Sequence, residues 1–436
     1  MQRPLIAVLI ASAISMAAPA AQAADLIQVY QQALANDATY ASARNALTAG
    51  QERSTQGRSQ LLPGISLQGS HSRFYGSSTP PVGVKVDNDT HQNVYTLALS
   101  QPLFDYAAWQ SYQQSKLSQA QAEVQFAQAQ QDVLLRVAQA YFDVLTAQDN
   151  LSSIQAQKSA TTEQLASAKR NFEVGTQTIT DTHEAQAAYD LVVAQEFAAI
   201  NALEVARTAL QQIIGTAPAT LSTLRAGVTI APPQPANIEP WISAAEADNF
   251  NVALQRLNVE IAKREIARNR AGHLPTVDFT ANSTRNSQPA VGIARGTTVG
   301  VTWTVPIFNG FAVTSKVRET IALEEKARND LEANRRAASQ SARQAYLGVN
   351  SGLAQVKALE AAEVSSQSAL ESNKLGYQVG VRINIDVLNA QRQLYSTQRD
   401  LSKARYDTIM NGLRLKAAAG TLKEDDLVPI NALLTN

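Results

Sequence analysis

Two carboxylates in this chain sit in nearly repeated surroundings. Residues 172–190 read FEVGTQTITDTHEAQAAYD and residues 377–395 read YQVGVRINIDVLNAQRQLY. Phe172 aligns with Tyr377, Val174-Gly175 with Val379-Gly380, Asp181 with Asp386, and Ala185-Gln186 with Ala390-Gln391, all at an offset of 386 − 181 = 205. Each glycine stands where one helical pattern ends, and each aspartate where the next begins. A carboxylate there can serve the helix. Asp181, with Glu184 three residues on, reads as a capping box, and Asp386 favours its helix N-terminus by ~0.3–1 kcal/mol.

No catalytic constellation stands beside them. His71, His91, His183 and His273 are scattered, and His183-Glu184 lacks the second histidine that a zinc-binding helix needs. There is no Gly-Lys phosphate loop, and no cysteine to act as a nucleophile or to pair in a disulfide. We therefore expect no enzyme, no cofactor and no structural metal. Lysine plus arginine equal aspartate plus glutamate, 37 against 37. A neutral chain has no electrostatic footprint for nucleic acid.

The elements that must position the two aspartates are doubled as well. Gln139-Ala140-Tyr141 matches Gln344-Ala345-Tyr346, and Gly215-Thr216 matches Gly420-Thr421, again at 205. Upstream, Pro102-Leu103-Phe104 matches Pro306-Ile307-Phe308 at 204, and Leu62-Pro63 matches Leu274-Pro275 at 212. Two copies with small loop-length differences make a tandem duplication rather than a solenoid. Each copy reads helix, strand pair, very long helix, break, helix. The first spans 24–217, opening with one helix over 26–60 and a strand pair over 65–101 whose strands flank a polar loop at 76–90. A Pro-rich connector follows at 218–240. The second copy spans 241–421 with strands over 276–306, and a tail occupies 422–436.

From about residue 105 to 172 there is no proline or glycine, and apolar residues step by three and four: Leu117, Ala120, Val124, Ala127, then Leu134, Ala138, Tyr141, Leu145. That is a coiled-coil seam, and about 70 residues at 1.5 Å each make a rod of ~100 Å. Residues 311–374 repeat it. The strand pairs alternate over about ten residues, the length of a tilted strand crossing a bilayer. At the N-terminus, Arg3, an apolar run over 5–18 and Ala21-Gln22-Ala23 read as an export signal over 1–23.

Four strands cannot close a membrane barrel, whose minimum is about eight. An open sheet in lipid would leave edge groups unpaired. Membrane strands here therefore require several chains in one barrel, by cyclic symmetry. Three chains would supply twelve strands.

DLIQVYQQAL at 25–34, LLP at 61–63, GHLPTVDFTA at 272–281 and GYQVGVRINIDVLNA at 376–390 resemble the TolC family of outer-membrane exit ducts for efflux and type I secretion. The resemblance implies a mixed α+β membrane protein. A homotrimer would share a 12-stranded β-barrel in outer-membrane lipid and a long coiled-coil α-helical barrel through the periplasm. Connector and tail would form an equatorial belt. The implied partners are a periplasmic adaptor (membrane fusion) protein and an inner-membrane transporter of RND or ABC type.

The resemblance also places Asp386 on the inner wall of the periplasmic aperture, a site of divalent-cation block. Where the family has a second acid one turn later, this chain has Asn389, so the ring carries half the charge. Tyr377 and Arg382 match aperture-latch residues, with Asp181 and Thr180 as their partners. Two links in three copies, at ~0.5–1.5 kcal/mol each, would sum to ~3–9 kcal/mol. A periplasmic coiled-coil scaffold without channel activity is the alternative; it would not need two strand pairs. A general diffusion porin would need many more strands and no long helices. The cargo, whether drugs, bile-type detergents or proteins, is not written in the residues.

Overall fold

The computed structural model describes residues 23–79, 81–218, 220–225, 227–288 and 292–435. The expected export signal lies outside the described residues, except Ala23. The first half contains helix α1 (Leu26–Asn36), α2 (Ala38–Ser59), strands β1 (Gly64–Ser78) and β2 (Val86–Phe104), the long helix α3 (Tyr106–Glu173) and α4 (Ile179–Ile214). The second repeats the order with α5 (Glu239–Asp248), α6 (Phe250–Arg270), β3 (Thr276–Gln288), β4 (Gly292–Thr304), α7 (Ala312–Gln378) and α8 (Asn384–Ala418), before a short α9 (Leu427–Asn431). With 68 and 67 residues, α3 and α7 each span ~100 Å.

Two expectations need correction. The opening helix is broken rather than continuous. Asp37 ends α1 in extended conformation and caps α2, accepting from Tyr40 N at 2.8 Å. Its carboxylate, 3% exposed, pairs with Arg136 of α3 at 2.9 Å. Asn249 makes the same break between α5 and α6, at the offset 249 − 37 = 212 already seen at the strand starts. The polar loop also shrinks to 79–85. Strand pairing continues through Ser78↔Val86, clasped by a bidentate Arg73–Asp89 contact at 2.6 and 2.8 Å.

The four strands form one antiparallel sheet in the order β1-β2-β3-β4, leaving β1 and β4 as edges. Register assigns its two faces. One face stacks the rows Val277/Trp303, Phe279/Val301, Ile65/Leu99/Ala281/Val299 and Leu67/Leu97/Ser283/Thr297. The opposite face carries Ser66, Gln68, Thr96, Ser100, Thr280, Thr284, Thr298 and Thr302. The apolar face is uncovered within the chain, with Leu67 73% and Trp303 72% exposed.

The main core lies midway along the rods. Here α1, α4 and α8 pack on α3, with the connector and tail closing over them. The lower seam residues Leu134, Ala138, Tyr141 and Leu145 are buried there, while Leu117, Ala120, Val124 and Ala127 are half-buried. Tyr141 Oη donates to Ser222 O at 2.7 Å. Its duplicate, Tyr346, donates to Ala236 O, so each copy tethers the connector by the equivalent tyrosine.

Candidate functional site

The tips of the two long hairpins are built alike. After α3, Gly175 (φ 77°) donates to Phe172 O at 3.0 Å, and Thr176 N reaches Asn171 O at 2.9 Å. After α7, Gly380 (φ 81°) donates to Tyr377 O at 3.2 Å, and Val381 N reaches Gly376 O at 2.9 Å. Both are Schellman turns, with glycine in the left-handed conformation they require.

The helices that follow start differently. Thr178, not Asp181, is the N-cap of α4, and Asp181 is the third helical residue of the box rather than its first. Asp181 N donates to Thr178 Oγ1 at 3.3 Å, while its carboxylate accepts from Thr178 N at 3.1 Å and Oγ1 at 2.8 Å. At offset 205 Thr178 becomes Ile383, which has no side-chain cap. Asp386 is thereby released from capping. It is one-third exposed, with Arg382 Nη1 3.7 Å from its Oδ2. The arginine lies close over Gly376, where an added Cβ would stand 2.7 Å from Arg382 Cγ. Asn389, one turn beyond, is exposed and accepts from Arg392 Nη2 at 3.0 Å.

Three side-chain hydrogen bonds join the hairpins at their tips, and they differ from those the resemblance implies. Tyr377 Oη donates to Gln177 Oε1 at 2.6 Å rather than to Asp181, whose carboxylate is turned onto Thr178. Asn384, fully buried, accepts from Gln164 Nε2 at 2.6 Å and donates to Asp181 O at 3.0 Å. Arg382 faces Asp386, and Thr180 is exposed with no recorded bond to it. Beside these contacts lies a polar groove of about 770 Å³ whose lining includes Glu163, Gln164, Lys374, Tyr377 and Gln391. Gln177 and Asn384 were missed from sequence. Their duplicates are Arg382 and Ile179, so the repeat gives no signal for them. Among the described residues no group of three or more His, Asp or Glu side chains could hold a metal.

The pattern of the outer membrane efflux protein family matches residues 29–216 and 241–421. The chain belongs to the outer membrane efflux protein family. The two matched stretches correspond to the two structural copies and leave the connector between them. This efflux protein is 33% identical to the outer membrane protein TolC of Vibrio cholerae, over 99% of this chain and 98% of that one. It is also 33% identical to the proteases secretion protein PrtF of Dickeya chrysanthemi, over 98% and 94%. The crystal structure of the Campylobacter jejuni CmeC outer membrane channel superposes with a TM-score of 0.79 at 17% identity, covering 94% of this chain and 89% of that chain. The efflux protein is thus an outer-membrane channel that extends into the periplasm, not an enzyme. Among the described residues no helix is long and apolar enough to cross a membrane.

Proposed function

We propose that three copies of this chain form a passive exit duct that carries drugs or secreted proteins out of the cell. A periplasmic adaptor protein would join it to an inner-membrane transporter of RND or ABC type. The observation that carries this reading is the two-faced sheet with both edges open. Its apolar face suits lipid, its Ser/Thr-rich face suits a water-filled lumen, and its edges call for partner strands. Three sheets give a 12-stranded barrel. Phe104, Trp109, Trp303 and Phe308, exposed near the helix end of the strands, suit the aromatic girdle of the periplasmic interface.

At the far end of the rods, Asp386 from each copy would ring the aperture, with Asn389 halving the charge of a double ring. The links Tyr377–Gln177 and Asn384–Gln164 hold the hairpins together in the resting duct, so a partner must open it. Thr180, Asp181 and Arg382 remain candidates for contacts that tighten this closure. The mature protein should extract only with detergent, run as a heat-modifiable trimer and conduct weakly in planar bilayers. A water-soluble monomer would overturn the reading.

A further inference from the structure

The row of the sheet immediately beyond its apolar belt, toward the strand turns, contains Gly69, Tyr95, Arg285 and Arg295, one residue from each strand. Arg285 and Arg295 are direct partners across β3 and β4. Their side chains therefore leave the same face side by side, and both are exposed. Like charges directly opposite one another weaken a strand pair. Among the described residues neither arginine has a carboxylate within ion-pair distance; the arginine–carboxylate pair of the sheet, Arg73–Asp89, lies on the other hairpin. Arg73 there holds Asp89 by two bonds and also donates to Tyr75 Oη at 2.8 Å.

We propose that Arg285 and Arg295 bind the phosphate of an anionic lipid headgroup in the outer leaflet. This rests on the reading above that the apolar face meets lipid. Three observations converge on it. The pair lies at the level of Tyr95, and aromatic residues of membrane proteins concentrate at the headgroup level. Two guanidinium forks side by side offer bidentate donors to one phosphate, and the anion removes their repulsion. Toward the helices, past Thr297, Val299 (62% exposed) and Val301 (56%) continue the same face of β4, a path for acyl chains that a free anion would not use. In a shared barrel β4 would adjoin β1 of the next copy. Asp89 lies one strand further, on β2, and is already held by Arg73, so it is not the counter-ion.

Native mass spectrometry of the full mature protein in detergent tests the assignment, with diphosphorylated lipid A, dephosphorylated lipid A and inorganic phosphate as separate probes. The wild type should retain the diphosphorylated lipid, and Arg285→Gln/Arg295→Gln should retain it about tenfold less. Arg295→Glu should lose it equally. That variant places opposite charges across β3 and β4, so its sheet is not weakened. The dephosphorylated lipid should bind weakly and alike to all three proteins. Equal retention of the diphosphorylated lipid by wild type and Arg295→Glu would overturn the proposal. So would inorganic phosphate displacing the lipid at millimolar concentration, which would assign a free-anion site. The oligomer mass in the same spectra separates this result from the barrel reading, because a monomer would remove the lipid-facing surface itself.

Discussion

At the scale of single residues, the two copies diverge where one neighbour changes. Thr178 commits the Asp181 carboxylate to capping, whereas Ile383 cannot engage Asp386. Carboxylates brought near one another around a pore repel by ~1–4 kcal/mol per pair, depending on effective dielectric, and a bound cation relieves that. Asn389→Asp should therefore strengthen divalent-cation block in bilayer conductance titrations, and Ile383→Thr should weaken it by drawing Asp386 into a cap. Unchanged block in both would count against an aperture ring. The latch gives a second test. Tyr377→Phe with Arg382→Glu removes the bond to Gln177 and the facing of Asp386, and should raise the single-channel conductance of the isolated protein. Asn384→Ala strands Gln164 and the Asp181 carbonyl at ~1–3 kcal/mol per buried group, and should speed amide exchange at both tips. The breaks between helices were legible from sequence because glycine carries local backbone chemistry, whereas the cap was not, since Thr178 rather than Asp181 occupies it. The partners were not, because Gln177 and Asn384 act across 200 and 220 residues.

At the scale of elements, the pattern of strands, rods and terminal glycines followed from local rules, while the breaks at Asp37 and Asn249 did not. No proline or glycine marks either break. Each is held by a tertiary contact, Asp37 to Arg136 and Asn249 to the Ala418 carbonyl at 3.0 Å. The glycines now separate by surroundings. An added Cβ at Gly175 meets open space, so Gly175→Ala bears only the left-handed backbone cost of ~1–2 kcal/mol. At Gly420 (φ 71°) the Cβ would stand 2.2 Å from Asp248 O, at the break between α5 and α6. Gly420→Ala should lower the thermal midpoint well beyond Gly175→Ala, as circular dichroism would read. The core also predicts a pH response. Burial holds the Asp149 carboxyl above the usual range, despite the Tyr406 hydroxyl bonded to it at 2.8 Å and the Arg405 charge nearby. Its stabilising contribution is complete below the unfolded value of about 4 and is lost as pH rises through the raised folded value. Asp149→Asn keeps an oxygen for Tyr406. It should raise the midpoint at about pH 7, with the difference from wild type vanishing near about pH 4.

At the scale of the whole molecule, the single chain leaves an unusually large surface exposed. It exposes 26141 Å² at 46.8 kDa, where a compact monomer of that mass exposes ~16,000 Å². Exposed apolar surface includes the uncovered sheet face and residues along the rods such as Phe197 (69% exposed) and Val364 (69%), and the proposed duct would cover it. Lipid can cover the sheet face but cannot satisfy the edge amides, so the edges decide the assembly. Strand order makes β1 and β4 the only edges of this sheet, and a ring can close only by pairing β4 of one copy with β1 of the next. The chain has no native cysteine, which leaves introduced thiols unambiguous. Single cysteines along β1 combined with single cysteines along β4 should give, at matching register, an oxidised ladder of dimer and trimer that stops at three. Pairs of β1 cysteines alone should not cross-link. A ladder running past three, or β1-to-β1 products, would place the strands in a different assembly and remove the twelve-stranded duct.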